Sequence, residues 1–365
     1  MTKPFIIDSH EDLAYESLYG RFDYTRSVAD NRRYYQGPEK FQCTLGWPEY
    51  QRARVGVVFG TVFMVPPGDD SAGHKNREST YENEEDFHAA VLAQLDFYDR
   101  LAGEHPDLFC RIFDRSGFDQ VIRQWEPATD SEHPVGLITL MEGCEYLRSF
   151  DDLYLYYERG IRLIGPVWAG GRWCAGSDSH SMKDALTEDG RNLLRKMSDA
   201  GYILDVSHMK NHSAMDSLNY YDGIVAATHV NCSALLDGFP YERHFTDETI
   251  RLLIDHDGVM GVIPFNSFLS ADWKKGNTSS RELVTLDTLA DHIDHICQLA
   301  GHSRAAAIGT DFDGGFGYPD IPYEMNDISD LQKLAGVLER RGFGPEDIEN
   351  IFHKNWQRIL ERALK

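Results

Sequence analysis

Short apolar runs alternate with longer amphipathic segments along this chain. An apolar run of about four to eight residues is typical of a buried strand, whereas a longer segment with helical periodicity predicts a helix. The apolar runs lie at residues 5–8, 55–65, 135–142, 161–168, 202–208, 224–229, 259–265 and 305–311. We therefore expect eight buried strands.

Helical patterns fill the intervals between these runs. The clearest predicted helices span residues 82–104, 188–201, 246–258 and 286–301, and a last helix spans 345–364. Several begin at Thr or directly after it and end at Gly, as helix caps prefer. Eight strands that alternate with helices predict an α/β fold, a (β/α)8 TIM barrel. A doubly wound open sheet is the alternative, but no GxGxxG motif opens a strand-to-helix turn, so the barrel is favoured.

Composition limits the classes of partner and of compartment. The formal net charge of −23 argues against nucleic acid and anionic membranes as partners, because both attract basic surfaces. The six cysteines lie far apart without a CxxC pair, which predicts reduced and mostly buried thiols. No linker divides the sequence, so we expect residues 1–365 to form one catalytic barrel domain with a C-terminal helix. No secretory signal or membrane span is recognisable, and the expected location is the cytoplasm.

Metal-binding residue types follow several of the predicted strands. In a barrel, the carboxyl ends of the strands form the active-site mouth. Three imidazoles and three carboxylates lie at these ends: His10, Asp12, Glu142, His208, His229 and Asp311. Such a set suits two divalent cations, with zinc favoured by its mixed nitrogen and oxygen ligands. Without cations the three carboxylates would repel one another, so the charge balance also favours a metal site.

Each of these motifs taken alone has a simpler interpretation. A single HxD occurs often by chance, and the stretch "GTDFDGG" has the composition of a turn. The joint pattern is informative because five separate strand ends each supply a ligand-type residue. His292 and His295 are instead predicted on a partly exposed helix face, and the remaining histidines considered lie on predicted helices or loops: His88, His105, His212 and His353.

Five motifs in chain order resemble a known family. They are "DSHEDL", "MEGCE", "ILDVSH", "ATHVNCSAL" and "GTDFDG", and they are similar to motifs of the membrane (renal-type) dipeptidase family, peptidase family M19 of the amidohydrolase superfamily. Weaker similarity covers nearly the whole chain. The resemblance implies a (β/α)8 barrel that holds two zinc ions.

The same resemblance implies roles for individual residues. His10 and Asp12 would bind one ion, His208 and His229 would bind the other, and Glu142 would bridge the two. Asp311 would lie beside the metals, as proton shuttle to the leaving amine or as an added ligand. Arg243, in "RHFTD", would bind the terminal carboxylate of the substrate through two parallel hydrogen bonds.

Two departures from the family pattern affect the substrate pocket. Trp168, in "IGPVWAGG", stands where family members carry a histidine that contacts substrate and helps polarise the carbonyl. The family's N-F-Y segment after the seventh strand is "VIPFN" here, so a pocket tyrosine is also absent. His180 offers a substitute imidazole, but a surface position is the simpler interpretation. The metal ligands thus match the family pattern, whereas the substrate contacts do not.

Three hypotheses of function follow, all with a small-molecule ligand. The first is a zinc-dependent dipeptidase, in which a hydroxide held between the metals attacks the amide bond. The second keeps the two metals but changes the substrate to another amide, an N-acyl amino acid or a lactone; Trp168 and Pro264 motivate it. The third is a non-catalytic barrel that binds a ligand. The sequence leaves the oligomeric state open, with a homodimer among the options.

Overall fold

Nine parallel strands form the centre of the part of the chain that the structure, a computed structural model, describes. That part comprises residues 3–19, 22–35, 42–65, 81–129, 131–169, 171–177, 185–239, 242–274, 276 and 278–365. The strands are β1 (Ile6–Glu11), β2 (Val55–Phe63), β3 (Phe109–Arg111), β4 (Val135–Glu142), β5 (Ile161–Gly165), β6 (Ile203–Asp205), β7 (Val225–Ala226), β8 (Met260–Val262) and β9 (Ala306–Ile308).

The strands form a curled parallel sheet. Six of them pair in the order β1-β2-β4-β5-β6-β7, and β8 pairs with β9. A bridge between Ala227 and Met260 continues the sheet from β7 to β8, and a bridge between Glu11 and Phe312 links β1 to the segment after β9. All eight predicted strands are present, and the predicted TIM-barrel class is confirmed.

The sequence prediction missed β3. This strand pairs with the first residues of β4, from Val135 to Leu137, while β5 pairs with β4 from Thr139 onward. It has only three residues and is only partly buried, so no apolar run marks it. Several predicted strands are also too long. Residues 206–208, for example, leave the sheet after β6 and form the loop that presents His208.

Helices connect the strands and cover the outside of the sheet. They are α1 (Leu13–Leu18), α2 (Val28–Tyr34), α3 (Trp47–Ala53), α4 (Glu84–Glu104), α5 (Arg115–Trp125), α6 (Asp151–Glu158), α7 (Glu188–Ala200), α8 (Asn211–Tyr220), α9 (Asp247–Asp255), α10 (Asn266–Leu269), α11 (Leu286–Ala300), α12 (Lys333–Arg340), α13 (Pro345–Glu349) and α14 (Asn355–Ala363). The predicted caps are present: Thr187 and Thr246 accept backbone N–H groups at the starts of α7 and α9, and Gly201 ends α7 in the left-handed conformation. The predicted last helix consists of α13, a π-helical turn over Asn350–Lys354, and α14.

The last helix packs against the barrel. The ring of Trp356 lies 5.3 Å from that of Phe59 on β2, and its indole N–H donates to the carbonyl of Ile308 at 2.9 Å. The side chain of Asn355 donates to the carbonyls of Ser303 and Ala306. These contacts fix the position of β9, and thereby of the loop that carries Asp311.

The cysteines agree with the prediction, whereas one histidine does not. All six thiols are free and five are buried; only Cys110 is partly exposed. His292 is not on an exposed helix face. It is 1% exposed, and its Nδ1 accepts the backbone N–H of Cys232, because the buried side of α11 faces this segment. His295 on the same helix is partly exposed and lies 2.7 Å from Asp247. None of the described helices combines the length and the apolar character needed to span a lipid bilayer.

Candidate metal centre

The six predicted metal ligands all lie at the carboxyl ends of the strands. His10 belongs to β1 and Glu142 is the last residue of β4, while the other four lie in the loops that follow β1, β6, β7 and β9: Asp12, His208, His229 and Asp311. Parallel strands bring their carboxyl ends to one rim, so residues about 300 positions apart in the sequence become neighbours. The structure therefore brings together every ligand candidate.

The carboxylate of Glu142 lies between two groups of imidazoles. Its Oε1 is 2.7 Å from Nε2 of His208 and 3.3 Å from Nε2 of His229. Its Oε2 is 3.5 Å from Nε2 of His10. Glu142 is 7% exposed. One carboxylate thus offers one oxygen to each side, which is the arrangement that a bridging ligand needs.

Two further carboxylates, those of Asp311 and Asp12, lie near His10. Nε2 of His10 is 3.8 Å from Oδ1 of Asp311 and 4.0 Å from Oδ1 of Asp12. Two overlapping sets of potential ligand atoms result, each with all its atoms within 4.8 Å of one another: His10, Glu142 and His229, and His10, Asp12 and Asp311.

Burial and the charges of neighbouring groups shift the pKa values within this cluster. Burial lowers the pKa of His10, but Glu142, Asp311 and Asp12 raise it to about 10. Burial would raise the pKa of Glu142, but the imidazoles of His10 and His208 hold it well below its ordinary value.

The pKa values of the remaining groups shift toward the neutral form of each group, whereas those of His10 and Glu142 shift toward the charged form. Burial, with Glu142 beside it, raises the pKa of Asp12 to about 6. Burial and the neighbouring Asp12 raise the pKa of Asp311 well above its ordinary value. Burial lowers the pKa of both His208 and His229. Both of these imidazoles are thus favoured in the neutral form that binds metals.

The donor set fits divalent cations. Zinc ligands at about 2.0–2.2 Å from the ion in tetrahedral geometry lie roughly 3.4 Å from one another. The distances between the carboxylate oxygens and the imidazole Nε2 atoms of this cluster range from 2.7 to 4.0 Å and bracket this value. Neither ring nitrogen of the fully buried His10 has a hydrogen-bond partner among the described residues. A buried imidazole without a partner is costly, and a cation at Nε2 would remove that cost.

A chain of hydrogen bonds fixes the tautomer of His229. The hydroxyl of Thr228 donates to Oδ2 of Asp205 at 2.6 Å and lies 2.9 Å from Nδ1 of His229. Because the hydroxyl proton goes to the carboxylate, Nδ1 must be the donor to Thr228. Nε2, which faces Glu142, therefore keeps its lone pair for a metal. The sequence analysis did not identify Thr228 and Asp205, although each lies one to three residues from a predicted ligand.

The loop after β9 holds its two aspartates in an unusual backbone conformation. Asp311 and Asp313 have φ of 56° and 63°, values that residues other than glycine rarely adopt. Oδ1 of Asp313 accepts the backbone N–H and the hydroxyl of Thr44, at 2.8 and 2.7 Å. The next residue, Gly314, leaves the space that the carboxylates fill, because a Cβ there would overlap Oδ1 of Asp311 and lie 2.9 Å from Oδ2 of Asp12. The segment "DFDGG" is therefore a turn that also determines where the carboxylates of Asp311 and Asp12 can lie.

Arg243 lies next to the imidazoles. It is 5% exposed, and its Nη1 and Nη2 donate to the backbone carbonyls of Ser207 and His229, each at 2.8 Å. Nη2 is 3.4 Å from Nε2 of His208. The guanidinium is therefore fixed in orientation and adds positive charge beside the cluster.

Trp168 forms part of an aromatic wall beside the candidate metal ligands. Its ring lies 6.0 Å from that of His208 and 5.2 Å from that of Phe63 at the end of β2. Its backbone N–H donates to Oε1 of Glu145 at 2.7 Å. Burial raises the pKa of Glu145 to about 7. The sequence analysis did not identify Glu145, although it is the second glutamate of "MEGCE". His180, the substitute imidazole that was considered, lies outside the described residues.

Comparisons with known proteins identify similar chains. The family model described as membrane dipeptidase (peptidase family M19) matches residues 1–365. A Klebsiella pneumoniae protein described as an uncharacterized protein in the pqqA 5' region is 31% identical over 58% of this chain and 76% of its own length. An uncharacterized dipeptidase of Schizosaccharomyces pombe is 27% identical over 97% of this chain and 80% of its own length.

A solved structure has the same fold. It is a metallopeptidase from Rhodobacter sphaeroides liganded with a phosphinate mimic of the dipeptide L-Ala-D-Ala, and the TM-score is 0.78. The identity is 22%, and the alignment covers 99% of each chain. This similarity supports the barrel architecture.

Proposed function

The chain belongs to the membrane dipeptidase family, peptidase family M19, and from this premise we propose that it is a zinc-dependent dipeptidase. The observation that carries the proposal is the position of Glu142, with one oxygen toward His208 and His229 and the other toward His10. A single carboxylate shared by two groups of ligands suits a pair of cations. Residues 1–365 would act as one catalytic unit on a small-molecule substrate in the cytoplasm.

Two divalent ions, most simply zinc, would be held by the six residues at the rim. His10 and Asp12 would hold one ion, His208 and His229 the other, and Glu142 both. When bound, such ions supply Lewis-acid polarisation of a carbonyl oxygen and lower the pKa of a water molecule. The hydrogen bonds from Nδ1 of His229 to Thr228 and from Thr61 to Asp12 keep these ligands oriented.

Asp311 would handle the proton of the reaction. Its side chain is 14% exposed, compared with 7% for Asp12 and 6% for Glu142, so it is the most exposed of the three carboxyl groups. A carboxyl group at this position can carry a proton from the attacking water to the departing nitrogen. The role of an added metal ligand uses the same Oδ1, which lies 3.8 Å from Nε2 of His10.

Arg243 is our candidate for the terminal carboxylate of the substrate. Each of its Nη atoms carries two hydrogens, and one on each is used by a backbone carbonyl. A guanidinium held in one orientation in this way suits the bidentate binding of a carboxylate. Trp168 would pack against a substrate side chain, since its ring extends the apolar surface of Phe63 toward His208.

A second candidate function has a specific motive in Trp168. Because an indole cannot polarise a carbonyl as an imidazole does, the same metal centre suits a substrate other than a dipeptide, such as an N-acyl amino acid, another amide or a lactone. A non-catalytic barrel remains the third hypothesis, and it predicts poor metal retention or no hydrolysis.

Elemental analysis of the purified protein, combined with a panel of dipeptides, tests the proposal. The panel includes dipeptides with a D-residue at the C-terminal position. We expect two metal ions per chain and hydrolysis of at least part of the panel. Bound metal with uniform inactivity would favour the second candidate.

The variant Glu142→Gln tests the bridging role directly. It should lose most of the metal and of the activity, because an amide bridges two cations poorly. Glu145→Gln is the matched control for metal content, since it makes the same change at a half-buried carboxyl group that accepts the N–H of Trp168. Full metal content and turnover in Glu142→Gln would show that the assignment is wrong.

A further inference from the structure

A cavity of about 650 Å³ lies at the end of the barrel opposite to the metal ligands. Phe5 and Arg54 line it, and each immediately precedes a strand, β1 and β2, whose other end lies at the metal centre. The remaining walls come mainly from α12, α13 and the π-helical turn. Small-molecule sites typically measure about 300–1,000 Å³. The cavity therefore has the size of a ligand site, although it lies away from the catalytic mouth.

Three buried polar atoms of the cavity walls have no hydrogen-bond partner among the described residues. They are Nε of Arg54, Oε1 of Gln332 and Nδ1 of His353. Buried polar groups are nearly always paired, so three such atoms around one cavity indicate a missing partner. His353 is 7% exposed and belongs to the π-helical turn, a distortion that occurs frequently at functional sites.

The existing hydrogen bonds determine what each wall group still offers. Nε2 of Gln332 donates to the carbonyls of Pro4 and Ala53, at 2.8 and 2.6 Å, which leaves Oε1 as an acceptor. The Nη atoms of Arg54 donate to the backbone carbonyls of Trp125, Pro127 and Thr129. Its Nε–H therefore remains as a donor. The cavity thus offers one acceptor, Oε1 of Gln332, and one donor, Nε–H of Arg54.

The guanidinium of Arg54 is half-buried at this cavity, and burial lowers its pKa. Burying a cation is unfavourable unless it is paired, and a ligand carboxylate near Nε–H would reduce that cost. Lys3 lines the same cavity and adds a second positive charge. Together these two residues suit an anionic group.

Acidic and apolar residues also line the cavity. Glu126 and Glu339 belong to the lining, as does Gln332 with its acceptor Oε1, and these groups suit a cationic donor. The apolar residues of the lining, here called the floor, are Phe5, Ala335, Pro345 and Ile348. His353 stacks on Phe5 with ring centres 3.9 Å apart.

We propose that this cavity binds a free α-amino acid with an apolar side chain. The carboxylate would bind Nε–H of Arg54 and Lys3, the ammonium would bind Oε1 of Gln332, and the side chain would lie on the apolar floor. Nδ1 of His353 would form a hydrogen bond with the ligand. This site is separate from the metal centre and does not depend on the proposed hydrolysis.

Calorimetric titration of the metal-loaded protein with L-leucine tests the proposal. Two analogues each lack one charged group: 4-methylpentanoate lacks the ammonium and 3-methylbutylamine lacks the carboxylate. We expect both to bind at least tenfold more weakly than leucine. If 4-methylpentanoate bound as tightly as leucine, the assignment of an amino acid as the ligand would be overturned.

Because an amino acid can also bind at the metal centre, a variant must locate the binding event. Ala335→Phe fills the cavity from α12, and Ala200→Phe makes the same change at a partly buried position on α7 outside the cavity. We expect Ala335→Phe to weaken one leucine-binding event at least tenfold and Ala200→Phe to leave it unchanged. Unchanged affinity and stoichiometry in Ala335→Phe would overturn the proposal.

His353→Phe decides the question if Ala335→Phe fails to fold. The phenyl ring can keep the stacking on Phe5 but removes Nδ1. Circular dichroism verifies the fold of each variant before titration. Leucine binding that is as tight in folded His353→Phe as in the unchanged protein would exclude the imidazole from the site and overturn the proposal.

Discussion

Oγ1 of Thr228 lies 2.9 Å from Nδ1 of His229, and this contact determines which ring nitrogen carries the proton. The hydroxyl can accept from Nδ1 because its own hydrogen goes to Asp205. Removing such a partner typically costs about 10–100-fold in metal affinity. We therefore expect Thr228→Val to weaken zinc binding by about that factor, measured by competition with a chromogenic chelator.

Thr228→Ser is the matched control for this prediction. It keeps the hydroxyl and removes only a methyl group, so zinc affinity should remain within about threefold of the starting value. If Thr228→Val and Thr228→Ser bound zinc equally well, the hydroxyl would have no role in orienting His229.

A missing side chain is as important to the metal site as those present. At Gly314 a Cβ would overlap Oδ1 of Asp311 and lie 2.9 Å from Oδ2 of Asp12. Gly314→Ala should displace both carboxylates and reduce zinc affinity at least tenfold, as measured by the same competition. Gly336→Ala on α12 is the control, because the nearest atom to its added Cβ would be Nη1 of Arg340 at 3.8 Å. Equal zinc affinity in the two variants would contradict this account.

The clustering of the six candidate ligands could be predicted because each one ends or follows a buried apolar run. His208 and His229 come directly after such runs, and the rule that parallel strands end at one rim then brings them together. Strand β3 could not be predicted, because three partly buried residues carry no periodic signal. The burial of His292 was missed because the pattern of α11 does not show that the N–H of Cys232 needs an acceptor.

The residues that hydrogen-bond to the candidate ligands or to Trp168 beside them could not be predicted from the sequence. Asp205 lies in an apolar run and looks like any polar residue near a strand end, yet it accepts from Ser207 and Thr228 across two loops. Glu145 could have been noticed as a second glutamate in "MEGCE", but its contact with Trp168 depends on the path of the loop after β5. Such contacts are set by the relative positions of loops, which no local pattern encodes.

Trp168 should determine which dipeptides are accepted. Its ring continues the apolar surface of Phe63 toward His208. Loss of an apolar contact worth about 1.4 kcal/mol changes kcat/KM about tenfold. We expect Trp168→Ala to lower kcat/KM at least tenfold for dipeptides with large apolar side chains, and much less for glycylglycine. Trp168→Phe, which keeps an aromatic ring, should lose less, and an equal loss for all substrates would argue against side-chain recognition.

The carboxyl group of Glu145 should make stability depend on pH. Burial raises its pKa from an ordinary 4.5 to about 7 in the folded protein. Between these values the folded state binds more protons than the unfolded state, so the contribution of Glu145 to stability falls as pH rises from about 4.5 to 7. In Glu145→Gln this loss is absent, and the amide oxygen can still accept the N–H of Trp168. We therefore expect the free energy of unfolding of Glu145→Gln, relative to the unchanged protein, to rise between pH 5 and pH 8.

Urea unfolding at both pH values, with the same metal loading, measures this difference. The expected rise is on the order of 1–2 kcal/mol, because solvent at the partly exposed carboxyl group screens part of the full effect. Glu145→Asp is the control, since it keeps an ionisable group and should show a smaller difference from the unchanged protein. A constant difference between Glu145→Gln and the unchanged protein from pH 5 to pH 8 would mean that Glu145 has no raised pKa in the folded state.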